Sequence, residues 1–341
     1  MRTLLIANGT FFHMGAFFSR ALAARGDEHV LLDVADYEMK PGRPLPVRAV
    51  ARLSGYRRWL NWRLNRDAVA LARSFRPEVV LVTGGGFMLP SALRRIKALG
   101  GAVLVNYAAD DPFNPLHRTR SFVDGIPLYD VYASPRRPLI PDLERHGARR
   151  TAFVRFAYEP ALHFVEPPDT AEDRMRFGSD VVFAGGADAD RFPMLREVAD
   201  LGIRLHLYGG FWERDPVLAP LARGFAYGAD YRHAIGGAAI ALSLVRHANR
   251  DRHAMRTFEI AACGGFVLAD RTEEHLEFLE EDREAVFFEG ADELLDKVRF
   301  YLPREDQRRA IAAAGHRRIT TGGHTWADRV NELMALAAAA R

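Results

Sequence analysis

Short, uninterrupted apolar runs recur along the chain and alternate with longer amphipathic stretches. In the first half of the sequence they include Thr3 to Ala7, Val79 to Thr83 and Val131 to Ser134. A strand without polar alternation is buried on both of its faces, which happens in parallel sheets that carry helices on either side. The pattern therefore predicts an α/β fold built on a doubly wound parallel sheet.

The segments between these runs predict helices and loops. Phe11 to Ala24 has a helical pattern, and the three prolines between Tyr37 and Val50 indicate a loop. Tyr56 to Phe75 is predicted to form a basic amphipathic helix, because its apolar residues recur at helical spacing. The residues expected to face inward are Leu60, Leu64, Ala68 and Leu71.

The alternation stops in one stretch and then begins again. Residues 161–178 hold several prolines and acids with little periodicity, which indicates a linker. Further apolar runs follow, at Asp180 to Ala184 and Ile240 to Val245 among others. With 341 residues the chain is long enough for two domains of ordinary size. We predict Rossmann-like domains over residues 1–160 and 179–325, and a separate final helix over residues 326–341.

Composition narrows the class of protein. Apolar residues make up 48% and charged residues 27% of the chain, which is typical of a soluble globular protein. Basic and acidic residues nearly balance, so the net charge of +3 gives little reason to expect nucleic acid as a partner. The single cysteine, Cys263, excludes an internal disulfide bond and a multi-cysteine zinc site.

No segment has the pattern of a membrane-spanning helix or a signal peptide. Apolar runs stay well below the ~20 residues that a membrane-spanning helix needs. Residues 1–7 have the pattern of a buried strand and lack a cleavage site. We therefore expect a cytoplasmic protein without a transmembrane segment, and peripheral contact with a membrane surface stays open.

One stretch, His247 to Asp270, concentrates the chemistry. A polar loop leads into a predicted helix over about His253 to Cys263, and Gly264 is expected to end that helix as a left-handed cap. Arg252, Arg256 and Glu259 are spaced i, i+4, i+7, so a helix that started early enough would place all three on one face. Guanidinium groups bind phosphate oxygens and a carboxylate accepts hydrogen bonds from ribose hydroxyls. The alternative for Arg256 and Glu259 is a surface ion pair.

Loops at the carboxyl ends of the predicted strands of the second domain are further candidates, because ligands of open α/β sheets bind there. The candidate positions are Gly185 and Gly186 after the first strand, Gly209 and Gly210 after the second, and Arg246 and His247 after the third. Glycines let the backbone approach a phosphate, but ordinary turns also need them. Arg191 could clamp a phosphate or cap a surface helix.

The segment Arg256-Thr-Phe-Glu259, followed by Ile-Ala-Ala-Cys-Gly-Gly, resembles the donor site of GT-B glycosyltransferases. The resemblance is strongest to the CgeB-like proteins within the glycosyl transferases group 1 branch. It continues in Phe183-Ala-Gly-Gly, in Leu207-Tyr-Gly-Gly-Phe-Trp and in Thr321-Gly-Gly-His-Thr-Trp. Retaining members of the wider group carry Glu-x7-Glu at this site, whereas this chain has Asp251 there, with seven residues between it and Glu259.

The resemblance implies two Rossmann-like domains that face each other across a cleft, with the final helix packed back on the first domain. It also implies a nucleotide sugar linked to UDP, GDP or dTDP, bound by the second domain. No cofactor and no metal are expected, because helix N-termini and basic groups would stabilise the departing diphosphate. The positions carried over to donor binding are Gly185, Gly186, Arg191, Gly209, Arg246, His247, Arg252, Arg256, Glu259 and Gly264.

Two loops of the first domain are candidates for the acceptor side. His13 follows the first strand, where the resemblance places the general base of many inverting enzymes; otherwise it is a structural residue at a helix start. Asp110 and Asp111 follow another strand, and carboxylates at a crevice can orient a hydroxyl group or accept its proton. The alternative for Asp110 and Asp111 is an Asp-Asp-Pro turn.

The expected reaction is transfer of a sugar to an acceptor hydroxyl group in glycan or glycoconjugate synthesis. The Asp251-x7-Glu259 spacing favours retention of the anomeric configuration, while a base at His13 or Asp110 favours inversion. Two rival functions remain: a nucleotide-sugar epimerase, and a non-catalytic binding or assembly protein that uses the same pocket. An intact Arg256 and Glu259 argue against a decayed pocket.

Overall fold

The computed structural model describes residues 1–38, 55–115 and 118–341, and these form two compact units. The first unit comprises Met1–Arg155 and Trp326–Arg341, and the second comprises Phe156–Thr325. The stretch for which the sequence predicts a linker, residues 161–178, belongs to the second unit. Most of the loop predicted between Tyr37 and Val50 lies outside the described residues.

The first unit is built on a six-stranded parallel sheet. Its strands are β1 (Thr3–Ala7), β2 (His29–Asp33), β3 (Val79–Thr83), β4 (Val103–Tyr107), β5 (Val131–Ser134) and β6 (Thr151–Phe153). Their spatial order is β2-β1-β3-β4-β5-β6. In this register Leu5 of β1 lies between Leu31 and Leu81 on the neighbouring strands. The continuous apolar runs are thus buried on both faces, as the sequence pattern predicts.

Helices cover this sheet and share its core. They are α1 (Met14–Ala24), α2 (Tyr56–Phe75), α3 (Pro90–Ala98), α4 (Arg120–Gly125) and α5 (Ile140–Arg145). Helix α1 begins three residues later than the predicted Phe11, because a turn closed by the Thr10 carbonyl and the His13 amide takes up the preceding residues. Leu60, Leu64 and Ala68 of α2 are buried as predicted, while Leu71 is partly buried.

The second unit repeats the design with a five-stranded parallel sheet. Its strands are β7 (Ser179–Ala184), β8 (Leu205–Tyr208), β9 (Ala238–Ser243), β10 (Val267–Asp270) and β11 (Val286–Phe288), in the spatial order β11-β10-β9-β7-β8. Its helices are α6 (Ala171–Phe177), α7 (Phe192–Ala199), α8 (Ala229–Gly236), α9 (Met255–Ala262), α10 (Glu273–Phe278), α11 (Gly290–Tyr301) and α12 (Glu305–Thr321). Both sheets have the doubly wound α/β architecture predicted from the sequence.

A last helix, α13 (Trp326–Ala338), completes the first unit. Its Trp326 side chain is fully buried and its ring lies 6.2 Å from Phe17, 5.5 Å from Phe18 and 6.0 Å from Tyr107, measured between ring centroids. These three rings belong to α1 and β4, so α13 supplies the aromatic centre of one side of that core.

Helix α9 is held in the second unit by a chain of buried hydrogen bonds. The hydroxyl group of Thr257 lies 2.8 Å from the Ser243 hydroxyl group and 2.9 Å from Nε2 of His275. The other ring nitrogen of His275 donates to the Asp270 carbonyl oxygen at 2.7 Å. Burial lowers the pKa of His275 to about 3, so the ring is neutral and one nitrogen accepts while the other donates. The chain ties α9 to β9, β10 and α10.

Replacing Trp326 by alanine should lower the unfolding free energy of the first unit by about 3–5 kcal/mol, because a fully buried ring is lost and a cavity remains. Urea denaturation followed by circular dichroism measures this. Trp62→Ala is the control, since that side chain is 52% exposed and its loss should cost less than about 0.5 kcal/mol. Equal effects from the two substitutions would contradict the core role of Trp326.

Replacing Thr257 by valine keeps the shape of the side chain and removes its hydroxyl group. The Ser243 hydroxyl group and the His275 ring then lose a buried partner, which should cost about 1–3 kcal/mol in unfolding free energy. Thr320→Val is the control, because the exposed Thr320 hydroxyl group only donates to a carbonyl within its own helix. A thermal midpoint for Thr257→Val that matches this control would show that the chain does not stabilise α9.

Candidate active site

The strand order puts a change of direction in each sheet. In the second unit the chain passes from β7 to β8 on one side and then returns to β9 on the other side of β7. In the first unit β2 and β3 flank β1 in the same way. Crevices for ligands form at the carboxyl ends of strands where the direction reverses. The loops after β7, β8 and β9, and those after β1 and β3, are therefore the candidate ligand-binding loops.

The glycine loops after β7 and β8 are joined by backbone hydrogen bonds. The Gly185 amide donates to the Tyr208 carbonyl oxygen at 2.8 Å, and the Ala187 amide donates to the Gly210 carbonyl oxygen at 2.9 Å. Gly209 has a φ of +127°, and a Cβ atom there would lie 2.3 Å from the Gly185 carbonyl oxygen. Only glycine fits at position 209, and its missing side chain lets the backbone of this loop approach the backbone of the loop after β7 closely.

These loops line a cavity of about 250 Å³. Its wall includes Gly185, Gly186, Gly209 and Gly210, the segment Phe225 to Tyr227, and Arg256 at the start of α9. The rings of Phe225 and Tyr227 are stacked, 5.8 Å apart and 10° from parallel, and they are 62% and 40% exposed. Exposed backbone, a guanidinium group and a flat aromatic surface thus meet in one pocket.

Arg256 is paired with a carboxylate that water hardly reaches. The Arg256 guanidinium group donates to Glu259, whose side chain is only 3% exposed, and it also lies 5.0 Å from the centre of the Tyr231 ring. Burial opposes the charge on Arg256, but the Glu259 carboxylate holds its pKa above the ordinary value. Arg256 and Glu259 thus form the ion pair that the sequence spacing allows, but the carboxylate of this pair is buried and only the Arg256 side chain is partly exposed. Glu259 lies behind Arg256 and fixes its position.

Two residues that the sequence does not single out complete this cluster. Nε2 of His163 lies 3.6 Å from Oε1 of Glu259, and its Nδ1 atom accepts a hydrogen bond from the Glu159 amide. Since Nδ1 accepts, the proton is on Nε2 and points toward the carboxylate. The buried Tyr231 ring packs edge-on against His163, with centroids 5.6 Å apart. The residues that make these contacts are far apart in the sequence, so no sequence motif marks them.

Arg191 and Arg246 bring further positive charge to the loops after β7 and β9. Arg191 donates to the carbonyl oxygens of Gly186 at 2.7 Å and Leu244 at 3.2 Å. Nε of Arg246 lies 3.1 Å from a carboxylate oxygen of Asp188. Burial and the neighbouring Arg246 lower the pKa of Arg191 to about 10. The charged form of a guanidinium group is disfavoured by a second guanidinium group nearby, and an anion that binds beside the two stabilises it again.

Three predicted donor residues occupy other places. Helix α9 begins at Met255, so the exposed Arg252 precedes it and does not share a helical face with Arg256 and Glu259. His247 is exposed in the short 3₁₀ turn His247–Asn249. Gly264 ends the helix with a φ of +75°, as predicted, but it lies beside Ser179 at the amino ends of the strands. Its role is that of a helix cap.

In the first unit, His13 and Asp110 line one cavity of about 320 Å³. The glycine loop Gly84 to Gly86 after β3 forms part of the same wall. His13 is an exposed residue overall, yet the partial burial of its ring lowers its pKa, against an opposing attraction from Asp33. A lowered pKa leaves the imidazole neutral near pH 7 and able to accept a proton.

Asp111 differs from its neighbour. It is only 2% exposed, and its Oδ1 atom accepts a hydrogen bond from the Phe113 amide at 2.8 Å. This contact between a side chain and the amide two residues on is the ordinary turn role of Asp before proline. The structure therefore assigns the two readings of the Asp-Asp-Pro segment to different residues, with Asp110 in the cavity and Asp111 in the turn.

The described parts of the chain hold neither a group of metal-ligating side chains nor a membrane-spanning helix. Within residues 1–38, 55–115 and 118–341, no three His, Cys, Asp or Glu side chains form a group that could hold a metal ion. None of the helices in those ranges is both long enough and apolar enough to cross a bilayer.

Most of the pocket that Arg256 lines, except Gly185 and Gly186 among its loops, lies in the part of the chain that matches a known family. Residues 191–335 match the profile of a family described as "Glycosyl transferase-like". Among curated proteins, none matches this chain in sequence.

Solved structures resemble the whole chain at low sequence identity. Sucrose-phosphate synthase from Thermosynechococcus elongatus has a TM-score of 0.67 at 10% identity, covering 98% of each chain. Anabaena Alr3699/HepE in complex with UDP-glucose has a TM-score of 0.67 at 12% identity, covering 99% of each chain. A glycosyltransferase from Rickettsia africae has a TM-score of 0.64 at 10% identity, covering 99% of this chain and 98% of its own.

Fold and family profile agree with the pocket of glycine loops and Arg256. Residues 191–335 thus match the glycosyl transferase-like family, and the chain as a whole has the GT-B fold.

Proposed function

We propose that this protein transfers a hexose from a nucleoside diphosphate sugar to an acceptor hydroxyl group. The observation that carries the proposal is the pocket of the second unit, in which Arg256 stands at the wall made by two interlocked glycine loops. Backbone amides and a guanidinium group suit the oxygens of a diphosphate. The charge on Arg256 is preserved by the buried Glu259 carboxylate behind it.

The stacked rings of Phe225 and Tyr227 supply a surface for the nucleobase. They are exposed, nearly parallel and part of the same cavity as Arg256. Stacking on an aromatic ring favours every base to some degree. UDP-, GDP- and dTDP-linked sugars are thus all candidates, and UDP-glucose is the first to test because it is bound in the structurally similar Alr3699/HepE.

Departure of the nucleoside diphosphate creates negative charge that the pocket must stabilise. Arg256, with Arg191 and Arg246 in the neighbouring loops, provides fixed positive groups for this purpose. Charges that are already in place need no reorganisation as the bond breaks. The proposed reaction therefore proceeds without a divalent metal ion.

The acceptor side belongs to the cavity of the first unit that His13 and Asp110 line. A neutral imidazole or a carboxylate there could take the proton of the acceptor hydroxyl group. A base of this kind would invert the anomeric configuration. The spacing of Asp251 and Glu259 instead favours retention, which is our proposal for the stereochemical course.

Arg256→Lys should weaken donor binding about tenfold to a hundredfold, because lysine keeps the charge and loses the two-pronged hydrogen bonding of the guanidinium group. Calorimetric titration with UDP-glucose, GDP-mannose and dTDP-glucose in the presence of EDTA measures this. Arg252→Lys is the matched control, since Arg252 is exposed and precedes α9. A sugar nucleotide that binds both variants and the native protein equally would contradict the proposed pocket.

The same titration tests the role of Glu259. Glu259→Ala should cost about 1.5–3 kcal/mol of donor affinity, the range for hydrogen bonds to a charged group. If Glu259 binds the ribose, the loss should shrink for a donor without the 2′-hydroxyl group. If it only fixes Arg256, the loss should be the same for both donors. Full affinity in the folded variant would exclude both roles.

Asp110→Asn should lower kcat far more than donor affinity if Asp110 is the base, by about 10²–10⁴-fold. His13→Ala is tested beside it. If His13 is the base, kcat should fall as the pH drops through the lowered His13 pKa, below 6.5, because protonation removes the acceptor site. Single-turnover transfer measured over a pH range, with donor binding in parallel, gives both answers.

Asp111→Asn is the control in that experiment. Because Asp111 belongs to the turn, its substitution should affect stability and leave the chemical step unchanged. A normal kcat in the Asp110 and His13 variants would show that neither side chain is the catalytic base. Retention would then be the expected stereochemical course, and analysis of the anomeric configuration of the product tests it. Donor binding without any transfer to a wide set of hydroxyl acceptors would instead support a binding protein.

A further inference from the structure

Helix α2 carries an aromatic face that points to solvent. Tyr56, Trp59 and Trp62 are 44%, 46% and 52% exposed, although tyrosine and tryptophan are usually more buried. Trp59 and Trp62 lie on the side of the helix opposite the buried Leu60 and Leu64. Packing against the sheet explains the inner face and leaves these three rings, the aromatic face, without a function in the fold.

Positive charge surrounds the aromatic face. The first three turns of α2, from Tyr56 to Arg66, contain four arginines and no acidic residue. Arg57 and Arg58 are exposed, and neither makes an ion pair with the residues that the structure describes. Arg63 and Arg66 share Asp67, the sole acid in the helix. The surface therefore fits a partner with negative charge.

The flat sides of the Trp59 and Trp62 rings already contact neighbouring side chains. Tyr56 stacks on Trp59 with centroids 5.7 Å apart, and the Arg63 guanidinium group lies 5.5 Å from the Trp59 ring centre. The Arg66 guanidinium group lies 5.3 Å from the centre of Trp62. A sugar or nucleobase would need to displace these groups to stack. Insertion of the ring edges among lipid headgroups requires no such displacement, and tryptophan and tyrosine prefer that depth.

Helix α2, which carries the aromatic face, lies next to the cavity of His13 and Asp110. Tyr37 donates a hydrogen bond to Asp67 of α2 at 2.9 Å, and its ring lies 5.1 Å from the Arg63 guanidinium group. Val34 and Glu38, on either side of Tyr37, line that cavity. Asn65 of α2 also binds the backbone of Phe87 and Leu89, and Phe87 is in the cavity wall. A partner held by α2 would be close to the cavity mouth.

We propose that the first turns of α2 dock this protein on an anionic lipid bilayer, with Trp59 and Trp62 inserted at headgroup depth and the arginines against the lipid phosphates. The inference stands on the surface of α2 and does not depend on the sugar transfer. If the protein also catalyses the proposed sugar transfer, docking brings the mouth of the first-unit cavity to acceptors that are themselves anchored in the membrane.

The chain offers a built-in reporter for this interaction. Of its four tryptophans, Trp212 and Trp326 are about 1% exposed or less, so only Trp59 and Trp62 can meet lipid. Vesicles of phosphatidylcholine mixed with phosphatidylglycerol should sediment the protein and shift its tryptophan emission to shorter wavelength. Brominated acyl chains should quench part of the emission and leave the part from the two buried residues. Vesicles of phosphatidylcholine alone should do neither.

Variants separate the two contributions. Trp59→Ala combined with Trp62→Ala should reduce partition into anionic vesicles about tenfold or more, because the inserted rings are lost. Arg57→Gln combined with Arg58→Gln should reduce it about thirtyfold, since each basic residue at an anionic surface contributes roughly a fivefold factor. Phe300→Ala is the aromatic control, because Phe300 is 44% exposed beside Arg304 in the second unit. Arg94→Gln with Arg95→Gln, an exposed adjacent pair on α3, is the charge control.

Several results would overturn the proposal. They are absence of sedimentation with anionic vesicles, binding without any change in tryptophan emission, and equal losses in the α2 variants and their controls. Binding of a single-stranded oligonucleotide that depends on Trp59 and Trp62, with no binding to vesicles, would assign the surface to nucleic acid instead. Circular dichroism of each variant establishes that it is folded, so a loss of binding can be attributed to the surface.

Discussion

All strands of a parallel sheet point the same way, and this constraint decides where the chemistry of each unit can lie. The loop after every strand emerges at one edge, so residues far apart in sequence become neighbours there. In the second unit this edge collects Gly185, Gly209 and Arg246; in the first it collects His13 and Asp110. The opposite edges hold caps and turns such as Gly264, which explains why a glycine close to Arg256 in sequence is far from its pocket.

The pair of Arg256 and Glu259 shows how the fold keeps a charged group ready at that edge. A buried carboxylate without a partner is strongly unfavourable, so Glu259 requires Arg256 as much as it orients it. His163 and Tyr231 close the remaining sides. The hydrogen-bonded chain through Thr257 and His275 then fixes the helix that carries the pair. A guanidinium group held this firmly loses little freedom when it binds an anion.

The sequence predicts the fold class well, because buried strands such as Val79–Thr83 are continuous apolar runs bounded by turn residues. The GT-B resemblance is confirmed, while the CgeB-like branch stays a prediction. The start of α9 is harder to predict, since its N-cap is Ala254, which has no side chain to accept a hydrogen bond, and the sequence alone leaves open whether Arg252 shares a face with Arg256. Phe225, Tyr227 and His163 had no signal, because their roles arise from contacts across long sequence separations. Burial of Glu259 is likewise a tertiary property that periodicity cannot supply.

The place of α13 in the first unit has a consequence for how the protein folds as it is synthesised. The chain leaves the first unit after Arg155 and supplies Trp326 to it only after the whole second unit has been made. Until then Phe17, Phe18 and Tyr107 lack the ring that fills their side of the core. The second unit is a continuous segment and needs no residue from elsewhere in the chain to complete its core, whereas the core of the first unit stays incomplete until the last residues of the chain have emerged.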